Sequence, residues 1–336
     1  MKDMMEKKYD VITIGSATRD IYVQSRAMQS LRDDSFHTGE GICVPSGSKV
    51  EVENLQFTTG GSAVNSAVTF AYQCLKTAII CKAGQDSRGE PIKEQLDELG
   101  VSTEHMVMDK ELLTAVSIIF HSPSGERSIF VYRGASSHLR PQEVDMDLLK
   151  ETKWIYVTHL GGESSALFEP ILKTAKENGV KVALNPGSTQ LKMGKDMIPL
   201  LKYVDVLFVN QEEAALLTGI DFKKEEEVFK KLDEWMDGIV VMTKGPDGVS
   251  VSDGKNKWDA PSLKEPKFVD RTGAGDAFGS GFITAMIKGG SIEDAIQLGS
   301  ANATAVLSEW GSNIGLLLET DSPEKFGKLE IERSNL

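Results

Sequence analysis

The segment Asp270–Phe278 contains the residues of this chain that are best placed to do chemistry. The backbone N–H groups of Gly273, Ala274 and Gly275 stand where a helix is predicted to begin, and the positive end of a helix binds anions such as phosphate. Asp276 would repel a phosphate that is merely bound. If the phosphoryl group is transferred, this carboxylate can accept the proton of the attacking hydroxyl while the N–H groups stabilise the developing charge. The segment therefore predicts phosphoryl transfer.

The residues after this turn predict the helix independently. Apolar residues recur at helical spacing at Phe278, Phe282, Ile283, Met286 and Ile287. Gly289-Gly290 would end that helix, and Ser291 would cap a second one. Two other interpretations of the turn stay open: a helix start with no chemistry, and a dinucleotide-binding fingerprint built on Gly273, Gly275 and Gly279. In the second, the third glycine is one place late and an aspartate faces the pyrophosphate.

The elements that must position this segment are predicted to be strands alternating with helices. Short apolar runs occur at residues 11–14, 154–157, 180–184, 204–209 and 238–242. That alternation predicts a parallel sheet flanked by helices, and ligands of such sheets bind at the carboxyl ends of the strands. The residues that follow these runs are small or polar, and include Gly15, Asn185-Pro186, Asn210 and Thr243-Lys244-Gly245.

Two segments with strand-like alternation, residues 32–58 and 112–132, differ from this pattern. We expect them to form one small sheet that lies apart from the main body as a lid. The body then comprises approximately residues 9–31, 59–111 and 133–320, within a single domain of residues 1–336. A sheet with exposed apolar faces favours pairing with a second copy, so we expect a homodimer.

Composition and charge exclude several classes of protein. A net charge of −13, with no dense cluster of Lys and Arg, argues against a nucleic-acid partner. The three cysteines have no CxxC spacing and the five histidines show no ligand spacing, so neither a zinc site nor a disulfide framework is predicted. The odd number of cysteines fits a reducing cytoplasm, which is the compartment that we expect. No segment is apolar for long enough to span a membrane.

A second motif, Gly60-Gly61-Ser62-Ala63-Val64-Asn65, precedes another predicted helix. Paired glycines let a ligand approach the backbone, and an Asn side chain can both donate to and accept from sugar hydroxyls. Together with residues 270–276, this motif resembles the two signatures of the ribokinase-like (PfkB) carbohydrate kinase family, in the same order within residues 9–315. The resemblance implies an α/β fold, a three-layer sandwich with a mostly parallel central sheet and a small β-sheet lid.

The resemblance also implies roles for individual residues. The aspartate of the second signature is the catalytic base in that family, which assigns this role to Asp276. The anion hole would be formed by Gly273, Ala274 and Gly275. The residues implied to hold substrate hydroxyls are Asp20, Gly60, Gly61 and Asn65.

ATP is implied as the phosphoryl donor and Mg²⁺ as its metal. Asn210 and Glu213 match the family's N-x-x-E motif, in which the glutamate holds magnesium through water. Further residues implied to bind the nucleotide are Asn185, Thr243, Gly245 and, near the adenine, Asn302. Many members bind a monovalent cation such as K⁺ beside the anion hole, which implies that role for Asp270 together with carbonyl groups near residues 306–311. Gly315 stands where some relatives offer a hydroxyl to that cation.

The implied activity is ATP-dependent phosphorylation of a hydroxyl on a ribose-like or fructose-like sugar. A nucleoside substrate stays open, because residues 60–66 resemble the form found in adenosine kinases. An acid sugar stays open, because Arg133 resembles the carboxylate-binding arginine of 2-keto-3-deoxygluconate kinases. The chain reads His159-Leu160-Gly161 where relatives often offer a carboxylate or amide to the sugar. A non-catalytic sugar or nucleotide sensor is disfavoured, since it has no need of a base at Asp276.

Overall fold

The computed structural model describes residues 7–36, 39–121, 127–265 and 267–336. Its strands are β1 (Tyr9–Ile14), β2 (Thr18–Gln24), β3 (Gln29–Arg32), β4 (Glu40–Cys43), β5 (Asn54–Gly60), β6 (Thr77–Ile80), β7 (Lys82–Gly84), β8 (Val107–Asp109), β9 (Ala115–His121), β10 (Arg127–Tyr132), β11 (Thr152–Val157), β12 (Lys181–Leu184), β13 (Val206–Asn210), β14 (Ile239–Thr243), β15 (Val249–Ser252), β16 (Asn256–Ala260) and β17 (Glu332–Asn335). Its α-helices are α1 (Ser62–Tyr72), α2 (Glu90–Glu98), α3 (Phe168–Glu177), α4 (Ser188–Leu191), α5 (Ile198–Leu201), α6 (Gln211–Thr218), α7 (Glu225–Asp233), α8 (Ala274–Ile287) and α9 (Ile292–Val306).

The larger sheet contains nine strands in the order β17-β16-β15-β14-β13-β12-β11-β1-β6. The strands from β14 to β6 pair in parallel, and β15, β16 and β17 extend the sheet in antiparallel fashion. The parallel strands are buried along most of their length, as in residues 206–209 of β13, because both faces of the sheet are covered. The predicted mostly parallel sheet is confirmed.

Helices cover both faces of this sheet and make the three layers that the sequence predicts. On one face, Leu172 of α3 and Phe229 of α7 share a buried cluster with Leu207 of β13. On the other face, Phe282 of α8 and Ile296 of α9 share a cluster with Phe208. Leu207 and Phe208 point to opposite faces because side chains alternate along a strand. Within the described ranges, no helix combines the length and the apolar character needed to cross a membrane.

The smaller sheet contains four strands in the order β10-β9-β2-β5, and a separate hairpin joins β3 to β4. The body predicted from the sequence includes the residues of β2. In the structure, β2 lies in the middle of the small sheet, where it pairs with β5 on one side and with β9 on the other. Its sequence alone does not reveal this position, since both partners come from distant segments. Residues 37–38 and 122–126 of the predicted lid lie outside the described residues.

Candidate active site

The candidate active site lies at the carboxyl ends of the parallel strands, where helix α8 begins. A cavity of about 290 Å³ at this place is lined by Asn185, Asn210 and Thr243, which follow or end β12, β13 and β14. Gly275 and Asp276 at the start of α8 line the same cavity. The fold therefore brings together the second signature and the polar residues that follow the strands, as expected for ligand sites in such sheets.

Gly273 is the N-cap of α8 and adopts a left-handed conformation with a φ of 84°. A Cβ atom at this position would lie 2.2 Å from the carbonyl oxygen of Ser312, so another residue would strain the backbone and collide with that loop. At Gly275 a Cβ atom would meet no heavy atom within 4 Å, so the space beside its backbone is open to a ligand. The N–H group of Ala274 donates to the carbonyl oxygen of Arg271 at 3.3 Å, so it is already engaged within the turn.

Asp276 lies in the first turn of α8, and its Oδ2 atom accepts a 2.8 Å hydrogen bond from Asn65 Nδ2. Burial raises the pKa of Asp276, while hydrogen bonds from Asn65 and Ser62 offset part of that rise. A carboxylate that is held in one position, with a raised pKa and beside a helix N-terminus, is suited to accept a proton from a hydroxyl group.

Asn65 holds Asp276 in place. Its Oδ1 atom accepts hydrogen bonds from Ser312 Oγ and Asn313 Nδ2, each of 3.0 Å, while its Nδ2 donates to Asp276. Most of the hydrogen-bonding capacity of this amide is therefore used within the protein, and the side chain is buried. These contacts support a positioning role of Asn65 toward Asp276, and the direct contact of Asn65 with sugar hydroxyls stays a prediction.

Gly60 and Gly61 of the first signature allow close contacts between segments of the protein. A Cβ atom at Gly60 would lie 2.0 Å from Asp20 Oδ2, and one at Gly61 would lie 2.5 Å from the carbonyl oxygen of Ser16. Gly61 also has a φ of 93°, which favours glycine. The absence of side chains at Gly60 and Gly61 therefore lets β5 approach β2 and lets the start of α1 approach the turn at Ser16. The predicted contact of these two glycines with a ligand stays a prediction.

Asp20 lies on β2 and is buried near Asp276. Burial raises the pKa of Asp20 to about 6, and the negative charge of Asp276 adds to the rise, while hydrogen bonds from Ser117 and Ser312 oppose it. Ser312 Oγ lies 3.4 Å from Asp20 Oδ2 and also donates to Asn65. A shared set of hydrogen bonds thus connects Asp20 to the residue that holds the candidate base.

We expect Asp20→Asn to stabilise the folded protein at about pH 8 while weakening substrate binding. The pKa of Asp20 is about 6 in the folded protein against its ordinary value of 3.8, so the fold favours the neutral carboxyl. Ionised Asp20 therefore destabilises the fold above pH 6, and this cost disappears below pH 3.8, where both states are protonated. The free energy of unfolding should rise by about 1–3 kcal/mol at about pH 8 and change little at about pH 4.

Asp34→Asn, which alters an exposed acid of the lid, is the matched control for this measurement. Chemical denaturation of both variants at the two pH values gives the comparison. An Asp20→Asn variant that is less stable than the wild type at about pH 8 would contradict the burial argument, because the neutral side chain should then be the favoured one.

A second and more apolar cavity, of about 660 Å³, adjoins the first, and Thr243 and Gly275 line both. Gly245, Phe268 and Phe278 are among its other lining residues. An apolar cavity that opens onto a helix N-terminus is suited to a nucleotide, whose base enters the cavity while its phosphates reach the N–H groups. The structure therefore places the sequence-predicted residues Thr243 and Gly245 where a nucleotide can contact them.

Asn302 does not line this cavity. Its Nδ2 atom donates to the carbonyl oxygen of Ala277 at 2.8 Å and to Thr69 Oγ1 at 3.3 Å, and its Oδ1 accepts from the N–H of Leu317 at 3.0 Å. The amide therefore links α9 to α8, to α1 and to the following loop. Helix α9 lines the cavity through Ser300, Ala303 and Thr304 rather than through Asn302, so the predicted approach of Asn302 to the adenine finds no support in these contacts.

Asn210 and Glu213 cap helix α6 with a reciprocal pair of hydrogen bonds. Asn210 Oδ1 accepts from the N–H of Glu213, and Glu213 Oε2 accepts from the N–H of Asn210, both at 2.9 Å. Burial raises the pKa of Glu213, which lines the smaller cavity together with Asp276. No group of three or more His, Cys, Asp or Glu side chains among the described residues could hold a metal alone. The carboxylate of Glu213 provides this cavity with an oxygen donor of the kind that can hold a magnesium ion through water.

Asp270 begins the loop that leads to Gly273, and its side chain is buried. Arg127 Nη1, from β10 of the small sheet, lies 3.7 Å from Asp270 Oδ1. A monovalent cation bound to Asp270 would lie beside this guanidinium group, and the two positive charges would repel each other. The residues present therefore do not fit the monovalent cation that the sequence analysis assigns to Asp270.

Arg133 follows β10 and is exposed, and its Nη1 atom lies 3.3 Å from His159 Nε2. His159 lines the smaller cavity, where Gly161 and Gly187 enclose its ring: Cβ atoms at these glycines would lie 2.7 Å and 1.8 Å from ring nitrogens. Burial lowers the pKa of His159, and the charge of Arg133 lowers it further. The neutral ring can therefore accept a hydrogen bond from Arg133 and leave the charge of the guanidinium available to a ligand.

Ser312, Asn313 and Arg127 were not predicted from the sequence to be part of this site, whereas His159 was noted only as a departure from the residue that relatives offer to the sugar. Ser312 and Asn313 are both buried, and a polar pair that follows Gly311 after a long helix is a signal that could have drawn attention to them. Arg127 carries no such signal, because its contact with Asp270 joins two distant segments.

Comparisons with known proteins show the family to which this chain is related. The model of the pfkB family carbohydrate kinases matches residues 24–319. Ribokinase from Haemophilus influenzae is 32% identical over 275 residues, which are 79% of this chain and 86% of that protein. The ATP-dependent ribose-1-phosphate kinase from Halopiger xanaduensis is 30% identical over 250 residues, which are 74% of this chain and 79% of that protein.

A solved structure shows the same fold. Arabidopsis thaliana ribokinase, in complex with ribose and ATP, matches this chain with a TM-score of 0.76 at 22% sequence identity. The match covers 93% of this chain and 96% of that one, so the predicted ribokinase-like sandwich is confirmed. Because the family model spans most of the sequence and both signatures meet in one site, this chain belongs to the pfkB family of carbohydrate kinases.

Proposed function

We propose that this enzyme transfers the γ-phosphoryl group of ATP to a hydroxyl group of a sugar-like substrate, with Asp276 as the base. The observation that carries the proposal is the position of Asp276, held by Asn65 at the start of α8 within a cavity of about 290 Å³. As the hydroxyl oxygen attacks, Asp276 accepts its proton. The N-terminus of α8 meanwhile stabilises the charge that develops on the phosphoryl oxygens.

The two adjoining cavities support ATP as the donor. The adenine would occupy the apolar cavity between Gly245 and Phe278, and the phosphates would pass Thr243 to reach Gly275, which lines both cavities. Magnesium would be held through water by Glu213 and would neutralise charge on the phosphates. Asn185, which lines the smaller cavity, can donate hydrogen bonds to the same phosphates.

A ribose-like or fructose-like sugar is the substrate that we favour. Asp20 supplies a second carboxylate near Asp276, and paired carboxylates suit a substrate that carries several hydroxyl groups. The relationship to the Haemophilus ribokinase supports this choice. A nucleoside such as adenosine stays an alternative, because its ribose offers the same hydroxyl groups.

Arg133 and His159 favour an anionic sugar as a second candidate. The exposed guanidinium of Arg133 contacts a neutral ring, at 3.3 Å, so its charge is available to a carboxylate or phosphate of the substrate. The name of the Halopiger relative, a ribose-1-phosphate kinase, is consistent with a phosphorylated sugar, and a 2-keto-3-deoxygluconate-like acid offers a carboxylate instead.

A substrate panel tests the proposed function. Neutral sugars, acid sugars, sugar phosphates, inositol and nucleosides are each incubated with ATP and magnesium and scored for ADP and for a phosphorylated product. We expect one class to be converted with equal amounts of ADP and product. Binding of nucleotide and sugar without conversion of any compound would favour the sensor instead.

We also propose that the protein forms a homodimer through the small sheet. The strand register places Phe57, Ile21, Ile118 and Phe130 in one row across β5, β2, β9 and β10. Phe57 is 55% exposed and Phe130 is 65% exposed. This row lies on the face opposite to Asp20, since neighbouring residues of a strand point to opposite faces. A second copy would cover an apolar face that is otherwise open to water.

Sedimentation velocity at micromolar concentration should therefore show a dimer for the wild type and a monomer for Phe130→Glu, because a buried unpaired carboxylate disfavours the interface. Leu216→Glu is the matched control: Leu216 is 63% exposed on α6 of the body, so its substitution should leave the dimer intact. A wild-type monomer at this concentration would exclude the proposed interface.

The compartment that we propose is the cytoplasm. Cys43, Cys74 and Cys81 are all free thiols in the structure. Unpaired cysteines are typical of proteins in a reducing environment.

A further inference from the structure

Asp270 is a buried carboxylate at the junction between the anion-hole loop and the small sheet. Its side chain is 3% exposed, and its Oδ2 atom has no hydrogen-bond partner among the described residues. Burying an ionised carboxylate without a compensating charge is costly. Arg127, whose Nη1 atom lies 3.7 Å from Asp270 Oδ1, supplies that charge here.

The two members of this ion pair come from different parts of the molecule. Arg127 belongs to β10 of the small sheet, where it pairs with His121 of β9, whereas Asp270 belongs to the body. The rings of His121 and of Tyr22 in β2 pack against Trp310, with centroid distances of 4.5 Å and 5.7 Å. Three neighbouring strands of the small sheet thus contact the body where the anion-hole loop begins.

This junction is incompletely hydrogen-bonded. Besides Asp270 Oδ2, the Nε2 atom of His121 is buried without a partner among the residues that the structure describes. The 3.7 Å between Arg127 and Asp270 exceeds the usual length of a charge-assisted hydrogen bond by about 1 Å. A small movement of the sheet toward the body would therefore give Asp270 a direct hydrogen bond.

We propose that Arg127 is a positioning residue for the anion hole. Its guanidinium group is the counter-ion of Asp270 and takes the place that was predicted for a monovalent cation. When the small sheet closes, this ion pair orders residues 270–276. An uncompensated Asp270 would place a negative charge three residues before Gly273 and weaken the attraction of this loop for phosphate. The predicted effect of Arg127 on catalysis rests on the proposed function, whereas its predicted effect on the order of residues 270–276 does not.

The first measurement is hydrogen exchange of residues 270–276, in the absence of substrate. Arg127→Met, which keeps an apolar stem but removes the charge, should raise exchange of this loop by about 10-fold or more. Arg127→Lys, which keeps the charge, should stay within about 3-fold of the wild type, as should Arg32→Ala, which alters an exposed arginine elsewhere in the lid. Arg127→Gln is the second variant if Arg127→Met does not fold.

The second measurement is kcat/KM in buffers that contain either K⁺ or a large organic cation. Replacing K⁺ should change the wild-type value by less than about 2-fold, since Arg127 supplies the charge. Arg127→Met should lose about 10–100-fold and recover part of this loss when K⁺ or guanidinium is added. Arg127→Lys should keep most of the activity without either cation.

Two results would overturn the proposal: activation of the wild type by K⁺ of about 10-fold or more, and loop exchange in Arg127→Met equal to that of the wild type. A loss of activity in Arg127→Met that neither cation restores would also overturn it, because the guanidinium would then act by something other than its charge. If the wild type converts no substrate, the proposed function fails, but the exchange measurement still decides whether Arg127 orders the loop.

Discussion

Replacing Asp276 by asparagine is expected to lower kcat by about 10²–10⁴-fold while ATP and the acceptor substrate still bind. Asparagine has nearly the size and shape of aspartate, and its side-chain oxygen can still accept the hydrogen bond from Asn65 that holds Asp276 at 2.8 Å. It cannot accept the proton of the attacking hydroxyl. The loss should therefore appear in kcat, and calorimetric titration should show affinities close to those of the wild type.

Asp237→Asn is the matched control for this variant, because Asp237 is an exposed acid between α7 and β14. Its kinetics should equal those of the wild type. Near-normal turnover by Asp276→Asn would exclude Asp276 as the base. Loss of binding together with turnover, or a lower melting temperature, would show instead that the carboxylate holds the site together, so both quantities are measured for each variant.

Replacing Arg133 by alanine is expected to lower kcat/KM for an anionic sugar by roughly 30–1000-fold, with little effect on a neutral sugar. A guanidinium that pairs with a substrate carboxylate or phosphate in a closed site contributes about 2–4 kcal/mol. The motivation is the contact of Arg133 with His159, which leaves the charge of the arginine next to the cavity that contains Asp276. Steady-state kinetics on matched neutral and anionic sugars measure the difference.

Arg140→Ala provides the control, because Arg140 is an exposed arginine of the same region whose Nε atom donates to Glu163 at 2.6 Å. That arginine has a carboxylate of its own and should not influence the choice of substrate. If the wild type does not phosphorylate anionic sugars, and Arg133→Ala has the wild-type kcat/KM for the best neutral sugar or nucleoside, Arg133 is a surface residue without a role in substrate binding. The anionic-sugar candidate would then be discarded.

Features that depend on neighbouring residues could be predicted from the amino-acid sequence alone. The turn before Asp276 could be recognised because Gly273, which adopts a left-handed conformation, directly precedes a helix whose apolar residues recur at helical spacing. The start of α9 could also be recognised from neighbouring residues, because Ser291 Oγ accepts a hydrogen bond from the N–H of Asp294 three residues later. The strands of the parallel sheet are continuous apolar runs, so their alternation with helices predicts the layers.

The side chains that meet across the site could be identified only from the packing of distant segments. Asn65 and Asp276 are separated by 211 positions, and their hydrogen bond gives Asn65 a role in positioning the candidate base. The side-chain amide of Asn302 donates hydrogen bonds to residues of α8 and α1. Arg127 lies near Asp270 only because β10 pairs with β9 in the small sheet. Such contacts depend on strand register and on the packing of distant segments, and neither leaves a periodic signal in the residues that take part.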